Sequence, residues 1–202
     1  MIDWAALDEI EAGNNGWRSA FPELSTNYVP GEGDNPEAFI IGEAPGATED
    51  VQRRPFVCSA GVVLRQLMAL ANLSADSEGL LEPNCWLTNV VKFRPPKNRN
   101  PTPSEVKAAR PWLMKEWEAV GSPKLIIPVG GIGLKAVTGR QHISILKAAG
   151  KNHSYRSAYT GHILHIWPMV HPSFGLRNPA VQSLLEKDWE ALGAWRIHGG
   201  ER

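Results

Sequence analysis

Cysteine is nearly absent from this chain of 202 residues; Cys58 and Cys85 are the whole complement. Two isolated cysteines give no disulfide framework and no paired metal-ligand spacing, so no metal is expected. A reducing cytoplasm is the expected compartment. Long apolar runs are missing as well. A membrane-spanning helix needs about 20 consecutive apolar residues, and nothing here approaches that. The opening segment, MIDWAALDEIEAG, is acidic and has neither the basic start nor the apolar stretch of a secretory signal. An excess of either charge is also lacking: 21 Lys and Arg face 21 Asp and Glu. That excludes a strongly basic nucleic-acid binder, so contact with nucleic acid would have to come from a local patch. Neither GEAPG nor VGGIG is followed by the Lys-Ser/Thr of a P-loop, and neither completes the Gly-x-Gly-x-x-Gly of dinucleotide folds. A phosphate-cradling nucleotide domain is therefore the weakest of the functional alternatives.

What is present suits a globular domain: 43% hydrophobic and 21% charged residues. The length fits one domain, residues 1–202, with a proper core. There is no internal repeat, low-complexity tract or linker. A first helix is expected over residues 2–12, ended by Gly13, with a Gly- and Pro-rich loop over 21–37 after it. AFII reads as a buried strand. Residues 59–73 read as a helix with Leu64, Leu67, Met68 and Ala71 on one face. CWLTNVV is a second strand. KFRPPKNRNPTP, with four prolines, cannot be regular. Thr102, Pro103 and Glu105 form a capping box at the start of the next helix, and Pro111 predicts a kink or two helices in series. KLIIPVGG and GHILHIWPMV supply third and fourth strands, and Asn178–Pro179 opens the last helix.

Apolar strands alternating with helices specify an α/β fold, a parallel sheet with helices on both faces. In such sheets ligands bind beyond the carboxyl ends of the strands. Those ends carry Glu43, Asn89, Gly130 with Gly131, and His171: a carboxylate, an amide and an imidazole, with glycines allowing close approach. Taken singly, Glu43 suits a solvated loop acid, Asn89 a turn, His171 a satisfied core histidine and Phe56 a core aromatic. Their convergence on one edge is what points to a site.

Four ordered segments carry a family resemblance: GEAPGATED (Gly42 to Asp50), RPFVCSAG (Arg54 to Gly61), LTNVVKFRPP (Leu87 to Pro96) and VHPSFGLRNP (Val170 to Pro179). Together the chain resembles the uracil-DNA glycosylase superfamily, most closely its family-four type, over roughly residues 36 to 195. The resemblance implies a three-layer α/β/α sandwich with a central four-stranded parallel sheet. It also implies excision of uracil from DNA by base flipping, leaving an abasic site. Family-four proteins carry an iron–sulfur cluster on four cysteines, and here the chain departs. No Cys-x-x-Cys precedes Tyr28, and Phe93 and Ala109 occupy two further ligand positions. Cluster ligands are normally thiolates, so no cofactor is expected, and apolar packing around Phe93 is expected in its place. Cys58 replaces a usual glycine beside the pocket loop.

Breaking a base–sugar bond builds positive charge on the sugar and negative charge on the base. Glu43 supplies negative charge and positions a water, as the family's matching glutamate implies. His171 donates to the uracil oxygen that gains charge. Asn89 accepts from N3–H and donates to O4, a pattern cytosine mispairs. Phe56 offers a stacking face. Glu49, by resemblance, sits beside C5 and excludes thymine's methyl group. Gly42 and Ala44 complete the base pocket. For DNA, the candidates are Pro45 and Gly46, the clamp Pro172 and Ser173, the wedges Phe174 and Leu176, and the cations Arg94, Arg99 and Arg177. Lys92, Lys97, Arg53 and Arg54 are further members of a local basic patch. The expected partner is uracil-containing DNA, met by a monomer, with no membrane. Alternatives are a uracil-DNA binding protein without turnover, or a glycosylase for another damaged or modified base. Covalent trapping through a histidine is disfavoured, because the stretch after the second strand has none.

Overall fold

The computed structural model describes residues 1–34, 36–73, 84–140, 142–156 and 163–198. Six strands form one sheet: β1 (Glu32–Gly33), β2 (Ala38–Gly42), β3 (Cys85–Asn89), β4 (Leu125–Pro128), β5 (His153–Arg156) and β6 (Ile163–Ile166). Their order is β1-β3-β2-β4-β6-β5. The inner four, β3-β2-β4-β6, are parallel as expected. The expected count of four is corrected by two antiparallel edge strands, β1 on β3 and β5 on β6. Both are short, and their pairing partner rather than any apolar alternation defines them, so they leave no periodic signal in the sequence.

β2, β3 and β4 are buried on both faces, which is why they read as continuous apolar runs, whereas β6 buries Leu164 and Ile166 and exposes Ile163. Successive residues point to opposite sides. Ile40, Leu87 and Ile127 face a core closed by α3 (Ser59–Leu70) and α7 (Pro179–Ile197), with Leu64, Leu67, Met68, Leu185 and Trp189. Phe39, Ile41, Trp86 and Ile126 face a second core built with α4 (Pro103–Ala119) through Leu113 and Trp117. Two α-helical layers thus sandwich the sheet. On the second face, α1 (Trp4–Arg18) packs on α4, and α5 (Gly131–Thr138) lies between α4 and the sheet. Two short helices, α2 (Ala47–Gln52) and α6 (Ile145–Ala148), complete the set.

Two helix boundaries differ from expectation. The first helix does not stop at Gly13 but runs on to Arg18. Gly13 is there because the Trp112 ring of α4 lies where a Cβ would stand. Close packing, not helix termination, explains that glycine. Nor does Pro111 divide α4, which is one helix from Pro103 to Ala119. Ala109 and Leu113, on either side of it, are buried in the second core, and that packing offsets the single lost backbone bond. The capping box is formed as expected: Thr102 Oγ1 accepts from Glu105 N at 3.2 Å, and Glu105 Oε2 accepts from Thr102 N at 2.7 Å. Asn178 caps α7, its Oδ1 accepting from Ala180 N at 3.0 Å.

Lys92, expected in a surface basic patch, is buried. Its ammonium donates to Thr88 and lies 2.6 Å from Glu116 Oε2. Glu116 Oε1 also accepts from Trp86 Nε1 and Thr88 Oγ1, each at 3.0 Å. Burial pulls the Lys92 pKa down, while Glu116 acts the other way. This satisfied network joins β3 and its exit loop to α4. Beside it lies an aromatic cluster. The Phe93 ring meets Trp17 edge-on at 5.7 Å and Tyr28 at 5.8 Å, with the Arg18 guanidinium 6.0 Å from its centroid. Phe93 is fully buried. Phe93→Ala is expected to cost about 3–5 kcal/mol, read from urea unfolding; a loss below about 1 kcal/mol would show that this cluster does not hold α1 to the domain.

Candidate active site at the carboxyl edge of the sheet

The parallel ladder continues past the strand ends and fixes the first residues of the loops beyond them. Gly42 stands opposite Asn89 in the register of β2 and β3. Val90 N then donates to Gly42 O and Val91 N to Glu43 O, both at 3.1 Å. On the other side Val129 N donates to Ile41 O at 2.8 Å and Gly130 N to Met169 O at 2.9 Å. Glu43, Asn89, Gly130 and the segment leading to His171 are thereby held at one edge. Glu43, Asn89, Phe56 and His171 line one cleft of about 380 Å³. Ala44, Pro45, Gly46 and Glu49 line it too, as do Arg99 and Ser173.

Glu43 faces the start of α5. The Ile132 backbone N–H lies on the side of its carboxylate, and Gly130, at φ 102°, packs against it where a Cβ would stand 2.7 Å from Oε1. The carboxylate thus sits at the N-terminus of a helix whose N-cap, Gly130, has no side chain. Burial pushes the Glu43 carboxyl above its usual 4.5, and the Ile132 N–H works against that shift. His171 is fixed by the turn it begins. Ser173 N donates to Nδ1 at 3.2 Å, and Ser173 Oγ lies 2.9 Å from the same atom. A backbone N–H can only donate, so Nδ1 accepts and the ring proton belongs on Nε2. Burial holds the His171 pKa below its usual 6.5, with the Glu49 charge opposing. A neutral imidazole with a donating Nε2–H is the result.

Phe56 is buried with φ 54°, a left-handed conformation that costs a non-glycine residue about 1–3 kcal/mol. Two features hold it there. Gly61 leaves room for the Phe56 carbonyl, and Arg65 donates to that carbonyl. Arg65 in turn lies 3.3 Å from Glu32, whose carboxylate also binds Arg54 at 2.8 Å. The ring packs over Gly42, where any Cβ would strike both Phe56 and the Asn89 amide. Asn89 is 5% exposed and lines the cleft with its amide oxygen beside Gly42. Glu49 is 4% exposed; Oε1 accepts from Cys58 N at 3.1 Å, while Oε2 is buried without a partner. Burial and the Glu49 contact push the Cys58 thiol up.

The remaining candidates separate. Pro172 is buried, whereas Phe174 and Leu176 stand 62% and 50% exposed on the short 3₁₀ turn Pro172–Arg177. The side chain of Arg177 lies outside the described residues, as do Gly161 and His162 of the fourth expected strand. Arg99 is committed to a two-pronged pair with Glu105, 2.9 and 2.7 Å long. Arg94 Nε donates to Asn98 Oδ1 at 2.6 Å. Arg54 is held by Glu32. Sequence reasoning missed Arg65, Glu32 and the lining residues Asn98 and Asn100; a helix arginine and a loop glutamate carry no local signal of such contact. Three members of the expected basic patch, Arg54, Lys92 and Arg99, are thus tied to acids.

The structure also tests the iron–sulfur expectation. Phe93 and Ala109 are fully buried in the second core with Tyr28. Cys85 lies in the other core, its Sγ donating to Leu73 O at 3.3 Å, and Cys58 lies at the cleft. No thiolate reaches the aromatic cluster among the described residues, so these residues do not fit a cluster. Nor does any group of three His, Cys, Asp or Glu among the described residues suit a metal ion.

Residues 30–193 match the family model described as the uracil DNA glycosylase superfamily. Similar curated proteins include the type-4 uracil-DNA glycosylase of Sulfurisphaera tokodaii, 35% identical over 84% of this chain and 75% of that protein. The type-4 enzyme of Archaeoglobus fulgidus is 33% identical over 85% of this chain and 83% of its own. That of Pyrobaculum aerophilum is 38% identical over 80% of each.

The cleft's protonation pattern is directly measurable. NMR titration is expected to show the His171 ring titrating below 6.5, with the proton on Nε2 at neutral pH, and the Glu43 carboxyl titrating above 4.5. A Nδ1–H tautomer, or the opposite direction of either shift, would contradict the geometry.

Proposed function

The chain belongs to the uracil-DNA glycosylase superfamily, and from that we propose that it hydrolyses the bond between uracil and deoxyribose in DNA, leaving an abasic site. The observation that carries this is the convergence of Glu43, Asn89, Phe56 and His171 on one cleft at the carboxyl edge of the sheet. Only an extruded nucleotide can reach such a recess, at a cost of a few kcal/mol in lost stacking. Phe56 offsets part of it by stacking on the base, worth about 1–3 kcal/mol. The Asn89 amide, in the cleft wall, meets the base's pairing edge. The base leaves with its electron pair. His171 Nε2–H donates to the oxygen where that charge gathers, and a neutral imidazole does so without surrendering its proton. Glu43, as carboxylate, faces the sugar as it becomes cationic and orients the water that adds to it. The water's hydroxyl bonds to the sugar and its proton passes by way of the Glu43 carboxylate to the departed uracil anion, so one water is added across the bond broken. No cofactor enters any step.

On this proposal the chain acts as one domain over residues 1–202, as a monomer in the cytoplasm. No helix among the described residues is long and apolar enough to cross a membrane. Phe174 and Leu176 are exposed where a wedge would enter the duplex, and Pro45, Gly46, Pro172 and Ser173 flank them or the cleft. A second reading, a glycosylase for a 5-substituted uracil, draws on Glu49. Its Oε2 is buried in the cleft wall without a donor, and a polar 5-substituent would supply one.

Asn89 decides which pyrimidine is accepted. Asn89→Asp replaces the amide donor with an acceptor, so single-turnover excision of uracil is expected to fall by about 10⁴-fold or more, the scale for mispaired buried polar groups, with a small gain on cytosine. Native-rate uracil excision by Asn89→Asp would show that this residue does not read the base.

A further inference from the structure

A second groove, of about 570 Å³, runs between α4 and α5. It begins at Asn100 and Pro101, which also line the cleft. Its α4 wall presents Val106, Lys107 and Arg110, and its α5 wall Ile132 and Lys135. Lys107 and Arg110 are three residues apart and share a helix face. No carboxylate lines the groove, in a chain whose charges balance overall. Arg110 Nε donates to Ala136 O at 2.6 Å, which sets its guanidinium across the groove. None of the three cations is in an ion pair among the described residues, whereas Arg54 and Arg99 of the expected patch both are.

We propose that this groove carries the phosphates of a DNA strand that leaves the cleft past Asn100 and Pro101, extending the contact beyond the flipped nucleotide. The inference rests on the glycosylase reading for the identity of the strand. Charge complementarity and continuity with the cleft favour DNA as the occupant. The floor of Val106, Ile132 and Ala136 accommodates sugar faces, and the cations meet a backbone without reading sequence. With Arg54 and Arg99 tied to carboxylates, this face adds three cations without an ion pair among the described residues beside the cleft.

The test compares binding of uracil-containing single strands that extend about 4 or about 15 nucleotides to the 5′ or 3′ side of the uracil. It uses the whole chain and the Lys107→Gln/Lys135→Gln double variant; both lysines line the groove and neither lines the cleft. The unmodified protein is expected to bind more tightly when one of the two sides is lengthened. The double variant is expected to lose that increment, and its salt dependence to become shallower by about 1.4 in log K against log salt, as for two phosphate contacts on single strands. Single-turnover excision at saturating enzyme is expected to be unchanged. Equal length dependence and equal salt slopes in both proteins would overturn the proposal, as they would if the groove holds an acidic peptide. Absence of uracil excision by the unmodified protein would sink the glycosylase reading instead, while the binding comparison would still decide the groove.

Discussion

The site depends on the register of the parallel ladder at the carboxyl edge. Gly42 is paired with Asn89, and the next two bonds tie Gly42 and Glu43 to the chain leaving β3. A one-residue slip would turn Asn89 to the other face of the sheet. The buried Lys92–Glu116–Thr88 network lies just beyond Asn89 and joins the exit of β3 to α4. Buried charges are costly unless fully partnered. Here Trp86 and Thr88 complete the Glu116 carboxylate, and removing one partner would leave another buried and unpaired. Such a network favours one arrangement of β3, its loop and α4 over slipped ones, which is how a charge pair in the core serves a site it never touches.

Inside the cleft, too, single residues serve two roles. Glu43 both lines the cleft and packs against Gly130 at the start of α5. His171 both faces the cleft and starts a 3₁₀ turn, so the turn sets its tautomer. Phe56 is held in a left-handed conformation by Arg65 and Gly61, and the strain persists because the surroundings over-determine it. Gly42 is required where the Phe56 ring and the Asn89 amide meet over the strand. His171 is thus oriented by its own turn, and Phe56 by the Arg65 guanidinium and the space that Gly61 leaves.

Much of this was legible in the sequence. Apolar runs marked the four inner strands, the capping box marked the start of α4, and four ordered motifs marked the cleft. Legibility failed where long-range contact overrides local pattern. Gly13 looks like a helix stop until Trp112 is seen against it, and Pro111 looks like a break until the buried residues on both sides are considered. Lys92 looks like a surface cation because nothing in KFRPPKNRNP announces Glu116 across the core. The two edge strands are too short for periodicity, and Arg65, which holds Phe56, is an ordinary helix residue by sequence. The groove between α4 and α5 was invisible for a similar reason: its cations come from two helices distant in the chain.

One comparison shows whether the carboxylate delivered by β2 takes part in bond cleavage. Single-turnover release of free uracil from a defined oligonucleotide is measured for the unmodified protein and for Glu43→Gln, alongside thermal unfolding of both. The amide keeps the size and an acceptor oxygen at the start of α5 but removes the negative charge. Release is expected to need no added metal and to be slowed by orders of magnitude in Glu43→Gln, with little change in unfolding. Uracil release at the native rate by a folded Glu43→Gln protein would contradict that role.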